Sequence, residues 1–339
     1  MNNNSKTTQQ IEKIVKGKRV LYIATKNRDY LRLEQEILLL KQYADNVDII
    51  VSTSKNYIIR ILYVYWNIIV YLKHFDVVFI GFAPQLVLPV FKWKFKEKPI
   101  VIDFFISIYD TLIFDRQKFK HNFLVSKILK KLDMLTLSLA DLIICDTKEH
   151  SKYFINELGA KSYKTIILYL NADPKYYFPK KKMRPNNLQD KFIVLYFGSV
   201  LPLQGVNVIL GAIKLIDLKD IHFIIIGPIN NKLKFNHLNN ITFIDWLSQE
   251  TLSDYIAFSD LCLAGHFNNT IEKAKRTIPG KAYIYEAMQK KMILGDNNAT
   301  RERYPALYKN VEFVKMGDEI ALADKIMQEY KRVKNVNSI

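Results

Sequence analysis

The sequence predicts an α/β protein built from two doubly wound halves, and two observations support this prediction. Short apolar runs alternate with longer amphipathic stretches along most of the 339 residues, which is typical of helices packed on parallel sheets. The alternation stops at 171–190, where prolines, asparagines and a lysine run leave no periodic apolar pattern, and then resumes. We therefore predict an amino-terminal domain over 1–180, a carboxy-terminal domain over 181–320, and a final helix, 321–339, that packs back toward the first domain.

In the first half, apolar runs that do not alternate with polar residues predict strands buried on both faces. They are RVLYIAT (19–25), VDIIVST (47–53), DVVFIGF (76–82), PIVIDFF (99–105), ADLIICDT (140–147) and KTIILYL (164–170). Amphipathic stretches predict helices over 32–44, 119–139 and 150–159, and a mainly apolar segment occupies 57–75.

The second half repeats this pattern. Its predicted strands are 191–199, 221–228, 241–246, 260–266 and 291–296, and its predicted helices are about 206–216, 248–258, 279–290 and 318–333. In open parallel sheets, ligands bind beyond the carboxyl ends of the strands. We therefore expect the active site in the cleft between the two halves.

The charge of the chain favours an anionic partner. Fifty lysines and arginines against 33 aspartates and glutamates give a net charge of +17. Nucleic acid, an anionic membrane surface or a phosphorylated small molecule would each fit, and a solvated lysine-rich surface is the alternative. Cys145 and Cys262 lie in apolar runs, which predicts buried reduced thiols in a cytosolic protein. The polar amino terminus predicts no secretory signal, and no apolar run has the length of a spanning helix.

Several common catalytic signatures are absent from the sequence. It contains no GxGxxG after the first predicted strand, no P-loop, no GxSxG, no HExxH, no paired Cys-Cys motif and no DxD. We therefore expect neither a resident metal nor another cofactor.

Two segments of the second half have features of an anion site. In YFGSVLPLQGVNVIL (196–210), Gly198 would let the backbone approach a ligand, and Gly205 opens a predicted helix. In EKAKRTIPGKAYIYEAMQKKMILGD (272–296), four cations surround Pro279-Gly280 just before a helix: Lys273, Lys275, Arg276 and Lys281. Such cations beside a helix amino terminus suit a diphosphate, and Glu286 could bind a ribose diol. A solvated basic loop and a surface glutamate are the alternatives.

These segments resemble the nucleotide-sugar domain of GT-B glycosyltransferases, and of family 4 in particular. IHFIIIGP, ITFIDWLSQETLSDYIAFSDLCL, NNATRE and VEFVKMGD add to the resemblance, as do ADLIICDTKEHSKYF and LYLNADPKYYFP in the first half. The resemblance covers about 140–330 well and 19–139 loosely. It implies the GT-B fold, in which two doubly wound Rossmann-like domains face each other across a cleft. It also implies a retaining, metal-independent hexosyltransferase that uses a nucleoside-diphosphate sugar.

The sequence departs from the family pattern at the donor diphosphate. Ser199 and Gln204 stand where the family commonly has Arg and Lys, and Ile278 replaces the first Glu of its E-x7-E motif. Lys275, Arg276 and Lys281 would then supply the charge. The resemblance implies donor contacts from nine residues. These are Gly198, Ser199, Gln204, Gly205, His266, Lys275, Arg276, Lys281 and Glu286.

The catalytic candidates are Lys281 and two aspartates of the first half. The family often places a His, or a His-Asp pair, beyond the fourth strand, where this chain has Asp103 and Asp110, with Arg116 nearby. A carboxylate there could orient the sugar or take the proton of the acceptor. A helix-capping or salt-bridged Asp is the alternative for each. His150 and His266 are lesser candidates.

The expected acceptor side is basic and aromatic. YIIRILYVYWNIIVYLKHF (57–75) and FKWKFKEK (91–98) suit an interfacial surface on anionic lipid, with a core helix and an ordinary loop as alternatives. We expect a peripheral enzyme at the inner face of the cell membrane. Its acceptor would be a hydroxyl of a lipid-linked or cell-envelope glycan.

Other functions remain open at this point. A sugar-nucleotide 2-epimerase shares the two-domain fold, and a non-catalytic relative would also keep it. A nucleic-acid-binding protein would explain the charge, but no recognised module is present and the basic residues are spread over both halves. We therefore expect no nucleic acid partner. The sequence leaves the oligomeric state open.

Overall fold

A computed structural model describes residues 4–28, 30–116, 118–119, 122–230, 240–305 and 308–336. The chain divides into two compact units, Met1–Asn171 and Ala172–Ile339. The division falls where the proline- and lysine-rich stretch begins, nine residues before the domain boundary expected from the sequence (180 − 171 = 9).

The first unit contains a parallel sheet of six strands, in the order β2-β1-β3-β4-β5-β6. Its strands are β1 (Arg19–Ala24), β2 (Asn46–Val51), β3 (Val77–Phe82), β4 (Ile100–Asp103), β5 (Leu142–Cys145) and β6 (Thr165–Ile167). Its α-helices are α1 (Ser5–Val15), α2 (Leu31–Tyr43), α3 (Tyr57–Val70), α4 (Leu88–Phe91), α5 (Phe123–Leu139) and α6 (Lys148–Leu158). Short 3-10 turns occupy Pro84–Leu86 and Ser162–Lys164, and a π-helical turn occupies Asp110–Asp115.

Both faces of this sheet are covered by helices. Val20, Tyr22 and Ala24 of β1 pack with α1 and α2 on one face. Leu21 and Ile23 of the same strand point to the other face, where α3, α4, α5 and α6 contribute apolar residues. This two-sided burial is the reason why the strand sequence is apolar without alternation. The helices α3 to α6 form a single layer on this second face.

The second unit contains another parallel sheet of six strands, in the order β12-β11-β10-β7-β8-β9. Its strands are β7 (Phe192–Phe197), β8 (Ile221–Ile226), β9 (Ile241–Ile244), β10 (Leu261–Gly265), β11 (Met292–Gly295) and β12 (Val311–Val314). Its α-helices are α7 (Val206–Leu215), α8 (Gln249–Phe258), α9 (Glu272–Arg276), α10 (Gly280–Ala287), α11 (Asn298–Arg303) and α12 (Glu319–Val336). Two 3-10 turns occupy Asn186–Leu188 and Pro202–Gln204.

The final helix, α12, packs along α7 of the second unit, where Leu322 and Ile326 are fully buried. That 321–339 packs toward the first domain stays a prediction. Both cysteines are buried free thiols. Among the helices in the described ranges, none combines the length and the apolar character needed to cross a membrane.

Five short or terminal elements were not expected from the sequence: α1, α4, α9, α11 and β12. The stretch that forms α1 is polar overall, but its Ile11 and Val15 are buried against the first sheet. The other four have four to six residues each. Segments this short carry too few residues for a hydrophobic period to show.

Candidate functional site

Glycines end four neighbouring strands of the second sheet. Gly295 and Gly265 are the last residues of β11 and β10, and Gly198 and Gly227 directly follow β7 and β8. Gly198 and Gly227 have φ of +139° and +149°, and a Cβ on Gly227 would collide with the carbonyl oxygen of Gly198. Only glycine tolerates this backbone conformation and this approach. The carboxyl edge of the sheet therefore presents backbone rather than side chains to a ligand.

The Lys281 side chain lies beside this glycine edge. Lys281 is the second residue of α10 and is buried. Its ammonium donates a hydrogen bond to Gln204 Oε1 and lies 4.7 Å from the centre of the Tyr196 ring. A Cβ built on Gly198 would be 3.3 Å from Lys281 Nζ, so a side chain at this position would crowd the ammonium.

The Lys281 ammonium has no counter-ion within the part of the chain that the structure describes. Burial lowers its pKa from 10.5 to about 7, and no nearby charge offsets that effect. A charged group buried without a partner is unfavourable, and an opposite charge brought next to it restores the charged form. The arrangement therefore favours an anion at the glycine edge.

Gln204 and Gly205 hold the turn before α7 against the next strand. The Gln204 carbonyl accepts a hydrogen bond from Phe267 N at 3.1 Å. Gly205 has φ of +67°, and a Cβ there would collide with the backbone of residues 267–268. This contact places the Gln204 side chain within reach of Lys281. Ser199, also expected at the donor site, is exposed directly after Gly198.

His266 follows β10 and is buried. Burial is the main cause that lowers its pKa to about 3, with a further contribution from the Lys281 charge. The ring is therefore neutral at physiological pH and can contribute hydrogen bonds but no charge. Thr277 Oγ1 lies 3.5 Å from its Nδ1.

The remaining cations before α10 lie on or beside α9. Lys275 forms an ion pair of 2.5 Å with Glu272, and both side chains are largely exposed, so the pair contributes little to stability. Arg276 is the last residue of α9 and is partly buried. Lys273 also contributes to the low pKa of His266. Three of the four expected cations therefore differ in burial and pairing from Lys281.

The Glu286 carboxylate is held by three donors. Arg303 Nη2 and the Tyr308 hydroxyl each donate to Oε1 at 2.6 Å, and the Tyr304 hydroxyl donates to Oε2 at 3.1 Å. The side chain is only 18% exposed, so Glu286 is not a free surface glutamate. These three partners were missed in the sequence. Their signal is the pair Arg303-Tyr304 directly after NATRE, followed by a second tyrosine, Tyr308, four residues after Tyr304.

Asp103, the last residue of β4, is buried in an ion pair. Arg32 Nε donates to Asp103 Oδ2 at 2.5 Å, and Arg32 Nη2 donates to Oδ1 at 3.3 Å. Next to this pair, the Tyr22 hydroxyl donates to Glu36 at 2.6 Å. Burial and the Asp103 carboxylate raise the pKa of Glu36 well above its usual range, which favours its protonated form. The geometry matches the salt-bridge alternative for Asp103.

Asp110 begins the π-helical turn and is also buried. Asp133 of α5 organises this turn, a role that was not predicted from the sequence. It accepts hydrogen bonds from Ser107 Oγ at 2.6 Å, Ile108 N at 3.2 Å and Tyr109 N at 3.0 Å, and from Gln85 at 2.9 Å. Neither Asp103 nor Asp110 exposes its carboxylate in this structure. Their catalytic role stays a prediction, as does any role of Arg116, which ends the turn.

His150, the lesser candidate of the first unit, is buried near the start of α6. Its Nδ1 lies 2.8 Å from Asp146 Oδ1, and its ring packs against Phe154 with 4.2 Å between centroids. Although burial alone would raise the pKa of Asp146, the charge and hydrogen bond of His150 lower it. The pair is placed to support the carboxyl end of β5 from within the core.

The structure thus brings together part of the expected donor set. Gly198, Gln204, Gly205, His266 and Lys281 meet at the carboxyl edge of the second sheet. Glu286 lies on the same helix as Lys281 but is held by its own partners. Within the described ranges, no group of His, Cys, Asp and Glu side chains has the geometry of a metal site.

Comparisons with known proteins identify the fold. No protein-family model matches the chain, and no curated protein matches it either. Among solved structures, sucrose-phosphate synthase from Thermosynechococcus elongatus is 12% identical with a TM-score of 0.64, covering 91% of this chain and 89% of that one. HepE from Anabaena, in complex with UDP-glucose, is 14% identical with a TM-score of 0.58, covering 94% and 91%. A glycosyltransferase from Rickettsia africae is 13% identical with a TM-score of 0.57, covering 94% and 89%. The two parallel six-stranded sheets and these similarities show that the chain has the GT-B fold.

Proposed function

We propose that this protein is a glycosyltransferase that moves a sugar from a nucleoside-diphosphate sugar to an acceptor hydroxyl. The observation that carries the proposal is the buried Lys281 ammonium without a counter-ion, placed beside Gly198 at a sheet edge that exposes backbone. The GT-B fold supports the proposal, and so does the UDP-glucose bound by the Anabaena protein of the same fold. Membership of family 4 is part of the proposal.

In this proposal the diphosphate of the donor lies against Lys281. Gln204, which stands where family 4 commonly has a lysine, accepts a hydrogen bond from the Lys281 ammonium. The Lys281 cation of α10 therefore reaches this turn, which has no lysine of its own at position 204. Arg276 would add a second charge from the end of α9. The ribose would bind Glu286, whose carboxylate is already oriented by Arg303 and two tyrosines.

The chemical task of the site is to stabilise the leaving diphosphate. As the bond to the sugar breaks, negative charge grows on the phosphate oxygens, and a cation already fixed beside them lowers the barrier. We propose that Lys281 and Arg276 supply this charge, that no metal is required, and that the configuration of the sugar is retained. Lys281 would be protonated once the donor is bound, because the diphosphate offsets the effect of burial on its pKa.

The acceptor is proposed to be a lipid-linked or cell-envelope glycan at the inner face of the cell membrane. The outer side of α3 exposes apolar side chains without a charge among them: Ile58, Ile59, Leu62, Tyr63, Trp66, Ile69 and Val70. The segment 91–98 adds the exposed Trp93 and four lysines. Apolar and cationic side chains together suit the surface of an anionic bilayer.

The donor proposal is tested with a panel of nucleotide sugars. We expect release of a nucleoside diphosphate from one UDP sugar, and a glycosylated product by mass spectrometry when membrane lipid is added. The variant Lys281→Met should lose the release, whereas Lys331→Met, which removes an exposed cation of α12, should retain it. An epimerised nucleotide sugar would instead indicate a 2-epimerase. Failure to bind any nucleotide sugar would leave a non-catalytic relative.

The membrane proposal is tested by sedimentation with vesicles. The wild-type protein should sediment with anionic vesicles at low salt, dissociate when salt is raised, and bind neutral vesicles much less. Replacement of Lys92, Lys94, Lys96 and Lys98 by glutamine should remove most of this binding. A protein that stays in the supernatant with anionic vesicles at low salt would contradict the proposal.

A further inference from the structure

The helix α5 is turned with its apolar side outward. Its buried positions are Asp133, Thr136 and Leu137, two of which are polar. The opposite side exposes Phe123, Leu124 and Ile128 at 75%, 70% and 64%. The complete exposed stripe consists of Phe123, Leu124, Lys127, Ile128, Lys131, Met134, Leu135 and Ser138. A helix that covers a sheet in water normally has the reverse arrangement.

Asp133 fixes this orientation. Its carboxylate accepts four hydrogen bonds, from the Gln85 and Ser107 side chains and from two backbone N–H groups at the start of the turn that follows Ser107. Rotating α5 to bury the apolar stripe would expose Asp133 and leave those buried donors without an acceptor. Loss of such bonds is costly. The exposed stripe is therefore held in place by the interior of the unit.

The stripe on α5 belongs to a larger surface on the helical layer of the first unit. Tyr65 of α3 packs on Phe91 of α4 with 5.0 Å between ring centroids, and Lys94 donates to the Ile69 carbonyl at 2.9 Å. The helix α4 in turn contacts α5. The helix α3, the lysine-rich segment 91–98 and the helix α5 are thus neighbours in one layer, and each has an exposed side.

The charges of this surface indicate what covers it. The only ionisable residues in the exposed stripe of α5 are Lys127 and Lys131, and the neighbouring segment 91–98 contributes four further lysines against one glutamate, Glu97. A protein partner with an apolar groove would not need so many cations. An anionic bilayer takes up apolar side chains and attracts lysines at the same time.

We infer that the outer face of α5 docks on an anionic lipid bilayer beside α3, with Phe123, Leu124 and Ile128 entering the headgroup region. This inference rests on the membrane location in the proposed function and adds a second contact to it. The first unit would then lie with its helical layer flat on the membrane. Two parallel helices, rather than one segment and a loop, would set its orientation.

The inference is tested by removing the α5 contact alone. The triple variant Phe123→Ser, Leu124→Ser, Ile128→Ser keeps α3 and segment 91–98 unchanged. Its partition onto phosphatidylglycerol vesicles should fall at least tenfold, while its thermal unfolding and its vesicle-free hydrolysis of nucleotide sugar stay at wild-type values. The matched control Leu215→Ser, Ile320→Ser replaces exposed apolar residues of the second unit and should bind vesicles as the wild type does.

A label shows whether α5 itself enters the bilayer. Both native cysteines are buried, so Ile128→Cys and, as control, Ile320→Cys can carry a polarity-sensitive fluorophore. Emission at position 128 should shift to the blue with anionic vesicles and be quenched by spin-labelled lipid, and position 320 should show neither effect. If the wild type binds but the triple variant binds equally, or position 128 stays in water, the inference is overturned and the proposed membrane location survives.

Other occupants give different results. If the triple variant turns a dimeric protein into a monomer without changing vesicle binding, a second copy covers the stripe and the inference is overturned. If the wild type binds no vesicle at all, both the inference and the membrane location fail. The proposed donor reaction is measured separately in the vesicle-free assay.

Discussion

Replacing Lys281 by methionine should make the ligand-free protein more stable and less able to bind a nucleotide. In the folded chain, burial lowers the pKa of Lys281 from 10.5 to about 7. At about 1.4 kcal/mol per unit of pKa, keeping this ammonium charged at pH 6 costs about 5 kcal/mol. Methionine has a similar length without the charge. It would leave Gln204 Oε1 without its donor, which offsets about 1–3 kcal/mol, so we expect a net gain of about 2–4 kcal/mol.

The gain in stability from Lys281→Met should decrease as the pH rises. The unfolded chain keeps the Lys281 proton up to its ordinary pKa of 10.5, whereas the folded chain releases it near pH 7. Between these values the unfolded state binds more protons, so the wild type becomes more stable as pH rises. The advantage of the variant should therefore shrink by about 3 kcal/mol between pH 6 and pH 9. Denaturant unfolding of both proteins at the two pH values measures this difference.

Lys281 lowers the stability of the ligand-free protein, but it should strengthen nucleotide binding. At pH 8 the free protein holds Lys281 mostly neutral, and a bound diphosphate favours the charged form. Wild-type protein should therefore take up close to one proton when UDP binds, measured by calorimetry in buffers of different ionisation enthalpy. The methionine variant should take up none and bind more weakly, and Lys281→Ala should reduce turnover by about one to three powers of ten. Equal affinity for UDP in the two proteins, with no proton uptake, would refute the reasoning.

Three further predictions concern residues around the two sheet edges. Arg276→Ala should reduce turnover by about one to three powers of ten, with Lys331→Ala, which removes an exposed cation of α12, as a near-silent control in the same nucleotide-release assay. Glu286→Gln should raise the dissociation constant for the nucleotide sugar at least tenfold, since a charged hydrogen bond contributes about 1.5–3 kcal/mol; an unchanged constant by calorimetry would remove Glu286 from the ribose site. Asp103→Asn should lower the free energy of unfolding by about 3 kcal/mol, because it removes the carboxylate nearest to the buried Arg32 and leaves only Glu36, 3.5 Å from Arg32 Nε; an unfolding midpoint equal to wild type would contradict this.

Much of the fold could be predicted because its strands are buried on both faces. The centres of such runs, VLYIA (20–24) and FIII (223–226), are apolar at every position, since helices cover both sides of each sheet. The edge strand β12 was missed because only its first and last residues are buried. The orientation of α5 was missed as well, because it is set by hydrogen bonds to Asp133 from a distant turn, and no hydrophobic period contains that information.

The residues of the candidate site could be predicted where the local sequence alone showed their place next to a strand or helix end. Gly198, Lys281 and Glu286 could be selected because their positions relative to strands and helices were visible in the sequence. Their partners could not be, because Lys281 meets Gln204 across 77 residues and Glu286 meets Tyr308 across 22. Asp103 shows the same limit: its ion pair with Arg32 spans 71 residues, so residue type and position alone left a catalytic and a structural role equally open.

Two features of this protein are unfavourable for the stability of the ligand-free chain: the buried Lys281 ammonium and the outward apolar side of α5. Lys281 lowers the stability of the ligand-free second unit, and the α5 stripe exposes apolar area in the first. Each is held by interior hydrogen bonds, from Lys281 to Gln204 and from four donors to Asp133. Groups that interior contacts hold in unfavourable surroundings are stabilised when a complementary partner arrives. A diphosphate and an anionic bilayer are complementary to these two groups, so a donor analogue should raise the unfolding temperature of the wild type more than that of Lys281→Met. Anionic vesicles should protect α5 from hydrogen exchange and leave α12 unchanged. Absence of both effects would mean that neither feature is a binding surface.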